Sequence, residues 1–481
     1  MARHTRRFFL GSTAAAAAGL AIRPTRTLAA GASRDVTMGF IGMGGRGGEV
    51  FRQFIGDKNI RVGAFCDPDT DHLAKYAKDY PDAKIETDLR RVIDNPDIDA
   101  VMITTPNHWH CLAAIWAVQA GKHVYVEKPL SHNVWEGRQL VNAIDKHKVV
   151  AQIGTQQRSD PLQAEAKQFL HADQKLGKPQ YVQACRFGVR EPIGKRDTPL
   201  TPPESLDYSL WLGPAADQPL YRDRLHYDWH WNFNTGNGEM GNWGPHILDD
   251  IRNVAFQDEV TIPTRVFACG GRVLWEDAGE SPNLHMAYYD TPVMPVFLGL
   301  SNLPARPGAK GALRFRGVES GYVVQCEDGY YTGWRAGGRA YDANGKLLRE
   351  FKGDGGSRHV DNFLTAIRED DATLLNAPVV QGHHSTNWCH LANIAVQSGG
   401  RVDGEKIPGV ADGSPGWDQL LGVMQEHVAS HGLDATHAGS RMSEVLSVDP
   451  ENERFTGSGS DKANQYLRRE YRDGFAVPEI A

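Results

Sequence analysis

The stretch from Val36 to Gly47, followed twenty residues later by Asp67, constrains this chain more than any other feature. It reads V-T-M-G-F-I-G-M-G-G-R-G. Val36, Met38, Phe40 and Ile41 make the short apolar run of a buried strand. Gly42, Gly44 and Gly47 then supply G-x-G-x-x-G, with Gly45 and Arg46 in the same turn. Gly42 permits a tight turn, Gly44 lets backbone approach a pyrophosphate, and Gly47 lets the next helix pack closely on the strand. That helix offers its first N–H groups and its dipole to phosphate oxygens. A second strand, Ile60 to Cys66, ends at Asp67, where a carboxylate reaches the adenosine ribose hydroxyls of a dinucleotide. In a chain with 51 glycines the spacing alone is weak. The strand before it, the helical stretch after it and the acid at the next strand end predict a dinucleotide site. The competing reading is a Gly-rich surface turn with Asp67 as a helix N-cap.

At 481 residues the chain exceeds one ordinary core, and 41% hydrophobic with 23% charged residues is a globular composition. Strands and helices alternate up to about Gln152. The strands are Ala100–Thr104, His123–Glu127 and Val149–Ile153; the helices are Asp71–Tyr80, Thr87–Asp94, His110–Ala120 and Trp135–Lys146. This predicts a parallel, doubly wound α/β sheet with ligands outside the carboxyl ends of its strands. Beyond Gly154 short strand candidates follow one another: Tyr181–Val189, Val266–Trp275, His285–Asp290, Val296–Leu300, Ala312–Phe315, Gly321–Cys326 and Gly329–Trp334. They predict an α+β domain with a mostly antiparallel sheet. Pro192–Pro219 reads as a long loop, Trp388–Val396 as a helix, and Ser440–Ala481 as a weakly patterned tail. The expected units are residues 35–155, 156–435 and 436–481.

Residues 1–32 read as a leader. Thr5-Arg6-Arg7-Phe8-Phe9-Leu10 is a twin-arginine signature, followed by an apolar Phe8–Ile22 run and the small-residue pattern Ala30-Gly31-Ala32. Fifteen apolar residues fall short of the roughly 20 that span a bilayer. The leader predicts an exported, periplasmic protein whose partner in transit is the twin-arginine machinery, with no membrane association after processing. Five of its residues are Arg and none is acidic, so its removal takes the formal charge from −7 to −12. That acidity argues against nucleic acid or anionic membrane as a partner. The six cysteines have no C-x-x-C spacing. They read as buried free thiols, with a disulfide open in an oxidising compartment. His383, His384 and His390 lack an accompanying carboxylate pattern, so no metal is expected.

Two segments after apolar strands point at the nicotinamide end of a dinucleotide: Thr104-Thr105-Pro106-Asn107-His108-Trp109-His110 and Glu127-Lys128-Pro129. With the glycine motif and a downstream Gly244-Pro-His246, these segments resemble the Gfo/Idh/MocA family, named for glucose–fructose oxidoreductase and inositol dehydrogenase. The resemblance covers about residues 35 to 435. It implies a Rossmann domain, a second domain whose open sheet often builds a homo-oligomer interface, and NAD(P)-dependent redox chemistry on sugars, cyclitols and polyols. It implies that Lys128 contacts the nicotinamide ribose and the substrate hydroxyl, and that His246 is the catalytic histidine. Oxidising a secondary alcohol needs such a pair, a base near neutrality and an ammonium that stabilises a developing alkoxide. Many family members carry an Asp where this chain has Asn242, so an amide would orient the imidazole here. Asp249, three residues past His246, shares its helical face and is the carboxylate expected to help.

Tyr227, Trp229, His230, Trp231 and Asn232 form an aromatic and polar run suited to a sugar, or else to packing between domains. The cofactor expected is NAD rather than NADP, since Asp67 would repel a 2′-phosphate; Arg46 is the counterweight. A periplasm without a free nicotinamide pool favours a cofactor held tightly through turnover. Two redox-neutral forms fit: oxidation of one sugar with reduction of another, or a glycoside hydrolase or lyase working through a transient keto sugar. A non-catalytic sugar and dinucleotide sensor is the reading from another class.

Overall fold

The computed structural model describes residues 35–402, 407, 413–434 and 440–481. The expected leader lies outside the described residues. Six strands form the first sheet: β1 (Val36–Ile41), β2 (Ile60–Cys66), β3 (Lys84–Glu86), β4 (Ala100–Ile103), β5 (His123–Val126) and β6 (Ala151–Ile153). All pair in parallel, in the order β3-β2-β1-β4-β5-β6. Between them run α1 (Gly45–Phe54), α2 (Thr70–Asp79), α3 (Leu89–Ile93), α4 (His110–Gln119) and α5 (Val134–His147). β4 and β5 are buried throughout, as strands covered on both faces must be. The strand order reverses between β1 and β4, and there the diverging loops leave a crevice.

Among the described residues the second sheet has twelve strands. After α6 (Pro161–Lys167) come β7 (Pro179–Phe187), α7 (Tyr208–Leu212) and α8 (Gly238–Val254). Then follow β8 (Arg265–Gly271), β9 (Leu284–Asp290), β10 (Val296–Ser301), β11 (Ser320–Cys326), β12 (Gly329–Trp334), β13 (Gly337–Asp342) and β14 (Leu347–Lys352). The last elements are α9 (His359–Glu369), α10 (Val379–Ser398), β15 (Gly400–Arg401), α11 (Pro415–Ser430), β16 (Arg441–Met442), β17 (Leu446–Asp449), β18 (Arg454–Thr456) and α12 (Ser460–Asn464). Among the described residues of this sheet only β7 and β10 pair in parallel; the other pairs are antiparallel. Ile247, Leu248 and Ile251 of α8 and Trp388 and Leu391 of α10 cover one face. Trp417, Leu420 and Met424 of α11 cover the other, against Phe267 and Phe297.

The sequence pattern and the structure part in several places, among them the short helix α7 inside the expected Pro192–Pro219 loop and the added strands β13 and β14. Ala312–Phe315 forms isolated bridges to Pro304 and Val318 rather than a strand, because turns flank it on both sides. α10 is twenty residues long, since its polar first half, including His383 and Asn387, is buried by specific partners rather than by an apolar stripe. The C-terminal stretch carries β16–β18, and its end drives Val477 and Ile480 into the core of the first domain. Finally α9, far along the chain, packs Phe363 against Phe54 of α1 and Tyr125 of β5 in the first domain. Among the described residues no helix is long and apolar enough to cross a membrane, and all six cysteines are free and buried.

Candidate active site

The crevice above β1 and β4 is a cleft of about 490 Å³. Its floor is the glycine turn. Gly42 has φ +85°, and a Cβ there would meet the Thr104 backbone at 2.7 Å. A Cβ on Gly47 would stand 1.9 Å from the Gly42 carbonyl oxygen, so α1 can approach β1 only with hydrogen at that position. Thr104 Oγ1 donates to the Gly42 carbonyl at 2.6 Å and ties the turn to β4. The Gly44 N-cap has no side-chain partner, which leaves the first N–H groups of α1 uncapped at the cleft. Asp67, buried at the end of β2, accepts from the Met43 N–H at 2.7 Å and the Asp69 N–H at 3.0 Å. His72 lies across Gly44, and its Nδ1 is 3.2 Å from Asp67 Oδ2. That carboxylate, against burial, raises the His72 pKa.

A long connection, residues 188–237 between β7 and α8, closes over this end. Thr70 N–H donates to the Ser205 carbonyl at 3.0 Å, and Asp207 N–H to that of Pro68 at 2.9 Å. His226 Nε2 meets Asp69 Oδ2 at 2.9 Å. Leu210 and Trp211 line the cleft from the same connection. Arg472, near the C-terminus, braces it by donating to the Ser209 and Gly213 carbonyls.

At the other end, Glu127 is buried and pairs with Arg46 at 2.9 Å. Burial would raise the Glu127 pKa, but Arg46 and Lys128 outweigh it and hold the carboxyl low. Arg46 is thereby held at Glu127, the residue that follows β5. Lys128 Nζ donates to the Asn242 carbonyl at 2.8 Å and to its Oδ1 at 3.1 Å. Burial lowers the lysine pKa, and Arg46 adds to the effect. Tyr227, Trp229 and His230 form the facing wall. The His230 ring stacks on Trp229 with centroids 3.6 Å apart, and burial pushes it down to about 3.

Several expected roles need correction. Asn242 does not orient His246; its oxygens hold Lys128. Asp249 is not the histidine's carboxylate partner, because Arg158 at 2.7 Å and Ser385 at 2.6 Å take its two oxygens. His108 is buried between the Thr235 and Trp211 carbonyls, and desolvation pushes it down to about 3. It fastens β4 to the connection rather than facing the cleft. His110 lines the cleft, but its nitrogens contact the Pro129 and Thr105 carbonyls at 2.6 and 2.8 Å. Trp231 is buried, its carbonyl accepting from Glu280 and Ser281 N–H, and Asn232 lines a separate hollow beside Arg222. His383 and His390 part company, to Glu453 and Ser131.

Thr105, Pro106 and Asn107 do line the cleft with Gly42, Gly44, Gly45, Arg46, Asp67, Glu127 and Lys128. His246 sits one helical turn after Asn242, in an adjoining recess with Trp243, Ile247, Asp250 and Arg335. Among the described residues its ring has no hydrogen-bond partner; the edge of Trp243 lies 5.7 Å away between centroids. Burial, then the charge of Lys128, pushes its pKa well below the ordinary histidine value. The sequence reading missed Glu239, wholly buried and paired with Arg186 at 2.7 Å and Arg190 at 3.1 Å. Arg186 in turn covers the Trp243 ring at 4.2 Å, and Arg190 donates to the Tyr227 hydroxyl at 2.9 Å. An Arg within a strand and a Glu in the first turn of α8 were the available signals.

Residues 36–155 match the model of an oxidoreductase family NAD-binding Rossmann fold, and residues 192–293 match the C-terminal alpha/beta domain of the same family. The chain is 24% identical over 324 residues to the scyllo-inositol 2-dehydrogenase (NADP(+)) of Bacillus subtilis, covering 67% of this chain and 76% of that protein. It is 30% identical to inositol 2-dehydrogenase 4 of Saccharopolyspora erythraea over 34% of this chain, and spans about half (48%) of that protein's length. It is 33% identical to an alpha-N-acetylgalactosaminidase of Shewanella oneidensis, over 23% of this chain and 26% of that one. The WlbA dehydrogenase of Bordetella pertussis, solved with NADH and UDP-GlcNAcA, shares the fold at TM-score 0.54 and 17% identity, over 74% of this chain and 95% of that one.

Proposed function

We propose that this chain is an exported NAD(P)-dependent oxidoreductase of the Gfo/Idh/MocA family, acting on the CH–OH group of a sugar, glycoside or polyol with tightly held NAD. One observation carries the reading: the Lys128 ammonium, fixed by Asn242, stands where the glycine turn gives way to the wall of Tyr227, Trp229 and His230. The residues present suit a dinucleotide. The α1 N-terminus is uncapped, and among the described residues Thr105 Oγ1 is a buried hydroxyl without a partner. A bound nicotinamide would supply the hydride acceptor for oxidation of a secondary alcohol.

The protein's own groups handle the proton and the oxygen. Asn242 takes two of the three Lys128 N–H donors and leaves one for the substrate oxygen. Its lowered pKa makes the ammonium a better donor to a developing alkoxide. His246, neutral and unpartnered one turn along α8, takes the hydroxyl proton. His230, engaged with the Tyr227 carbonyl and stacked on Trp229, forms the wall on which a sugar ring rests. Glu239 holds Arg186 and Arg190 in place behind Tyr227 and Trp243. Arg46 is paired with Glu127 and Glu49, and the Asp67 carboxylate would repel a 2′-phosphate, which supports NAD. The similarity to a protein named alpha-N-acetylgalactosaminidase favours a second reading, glycoside cleavage through a transient keto sugar.

Mass spectrometry of nucleotide released from undialysed protein should find NAD; mainly NADP would defeat that assignment. A screen of sugars and glycosides for keto-sugar formation or aglycone release separates the two readings, and no turnover with either class would refute both. Export rests on Arg6 and Arg7. Replacing both with Lys should leave precursor in the cytoplasm, and mature protein found outside would show the leader reading to be wrong.

A further inference from the structure

We propose that Asp69, His72 and His226 form a divalent-cation site, suited to zinc, that fastens the 188–237 connection over the adenosine end of the cleft. One ring nitrogen of each histidine and a carboxylate oxygen of Asp69 lie within 4.8 Å of one another. The two imidazoles lie 4.6 Å apart between centroids, tilted by 46°. Two imidazoles and a carboxylate are a common zinc donor set, with water completing a tetrahedron at bond lengths of about 2.0–2.2 Å. The set is oriented in advance. The other oxygen of Asp69 accepts the Asp71 N–H at the start of α2, and Asp67 lies 3.2 Å from His72 Nδ1 as the carboxylate that steadies a ligating ring.

The charge balance points the same way. Asp67 and Asp69 are both buried, at 6% and 3% exposure. Among the described residues neither has a Lys or Arg within ion-pair distance; their ion-pair partners are the two histidines, and they also accept hydrogen bonds from neutral backbone N–H groups. Buried carboxylates normally carry a cation or a metal. A bound divalent ion would supply that charge, displacing the proton shared between His226 Nε2 and Asp69 Oδ2 into solvent. His72 lies against Gly44 and His226 belongs to the connection, so one ion would tie the phosphate-binding turn, α2 and the covering loop together. The ligating set stands independently of the enzymatic reading; its effect on cofactor retention rests on that reading.

The test uses the mature protein stripped with EDTA and titrated calorimetrically with Zn²⁺. One equivalent should bind at micromolar affinity or tighter. His226→Ala and Asp69→Asn should each weaken that equivalent at least tenfold, and His147→Ala, an exposed histidine elsewhere, should not. His226 is partly exposed and Asn is as good a helix N-cap as Asp, so both variants should fold; unchanged melting curves without metal confirm it. Co²⁺ in place of Zn²⁺ should give a visible d–d band that the two variants lose. No bound equivalent in wild type, or one that all variants keep, overturns the site. Bound nucleotide should dissociate at least tenfold faster in EDTA than with Zn²⁺. A cation that binds without changing that rate overturns the latch and leaves the site.

Discussion

The two ends of the cleft are built on different plans. The cofactor end is made of backbone: a glycine turn, an uncapped helix start and one carboxylate, supplied by Gly42 to Asp67. The substrate end is made of side chains drawn from β5, β7, the 188–237 connection and α8, with Lys128, Arg186, Tyr227 and Asn242 brought together across more than a hundred residues. A backbone site depends on hydrogen atoms where side chains would clash. A side-chain site depends on buried charges that must be balanced. The two should therefore fail differently.

The largest effect is expected at the substrate end. Lys128→Ala and His246→Ala should each lower turnover by roughly 10²–10⁴, and the double variant should be little worse than either, because groups acting on one transition state are not additive. Nucleotide should stay bound in His246→Ala, whose ring lies outside the main cleft. Turnover near wild type in folded His246→Ala would move the base to His230. Next comes Glu239→Ala. It leaves two largely buried guanidiniums without their carboxylate, a loss of about 3–5 kcal/mol in other buried pairs. Thermal unfolding should show it as a marked fall in melting temperature, with Glu239→Gln milder; an unchanged melt would mean Arg186 and Arg190 are solvated.

The cofactor end should break by geometry. Gly47→Ala places a Cβ 1.9 Å from the Gly42 oxygen, and overpacking of that kind costs about 1–3 kcal/mol. Gly45→Ala meets nothing within 4 Å. The first should purify with little nucleotide and the second with a full complement, read from absorbance and mass spectra of released cofactor. Equal retention would detach the glycine spacing from dinucleotide binding.

That contrast also explains what the sequence made legible. Spacing along the backbone encodes the glycine turn, the strand-end acid and the Glu127-Lys128-Pro129 turn, so local pattern suffices for them. Both sheets, one parallel and one mostly antiparallel, follow from the same periodicities. Side-chain destinations are another matter. Asp249 shares a helical face with His246, yet Arg158, 91 residues away in the chain, captures it. Trp231 and Asn232 follow Trp229 and His230, but a single 3₁₀ turn over Asp228–Trp231 sends neighbours in different directions. α9 looks like part of the second domain until its burial against β5 is seen, and no periodicity carries that information.

The smallest expected effect bears most directly on which imidazole is the base. His246 must be neutral to accept a proton, so activity should fall as pH drops through its pKa. Burial and the charge of Lys128 depress that pKa, with Arg335 next in size. The acid limb of kcat/KM, which reports the free enzyme, should therefore lie below the ordinary histidine value of about 6.5. Arg335 borders the recess without touching the Gly42–Gly47 turn. Arg335→Ala removes one positive charge and nothing from the phosphate-binding turn. Protonated His246 then becomes less unfavourable, its pKa rises, and the acid limb should move to higher pH with the plateau little changed. His230 is depressed by burial, then by Lys128 and Arg190. An acid limb that stays in place in Arg335→Ala but moves in Arg190→Ala would assign the proton to His230 on the aromatic wall. Movement with Arg335 alone ties it to the recess beside Trp243.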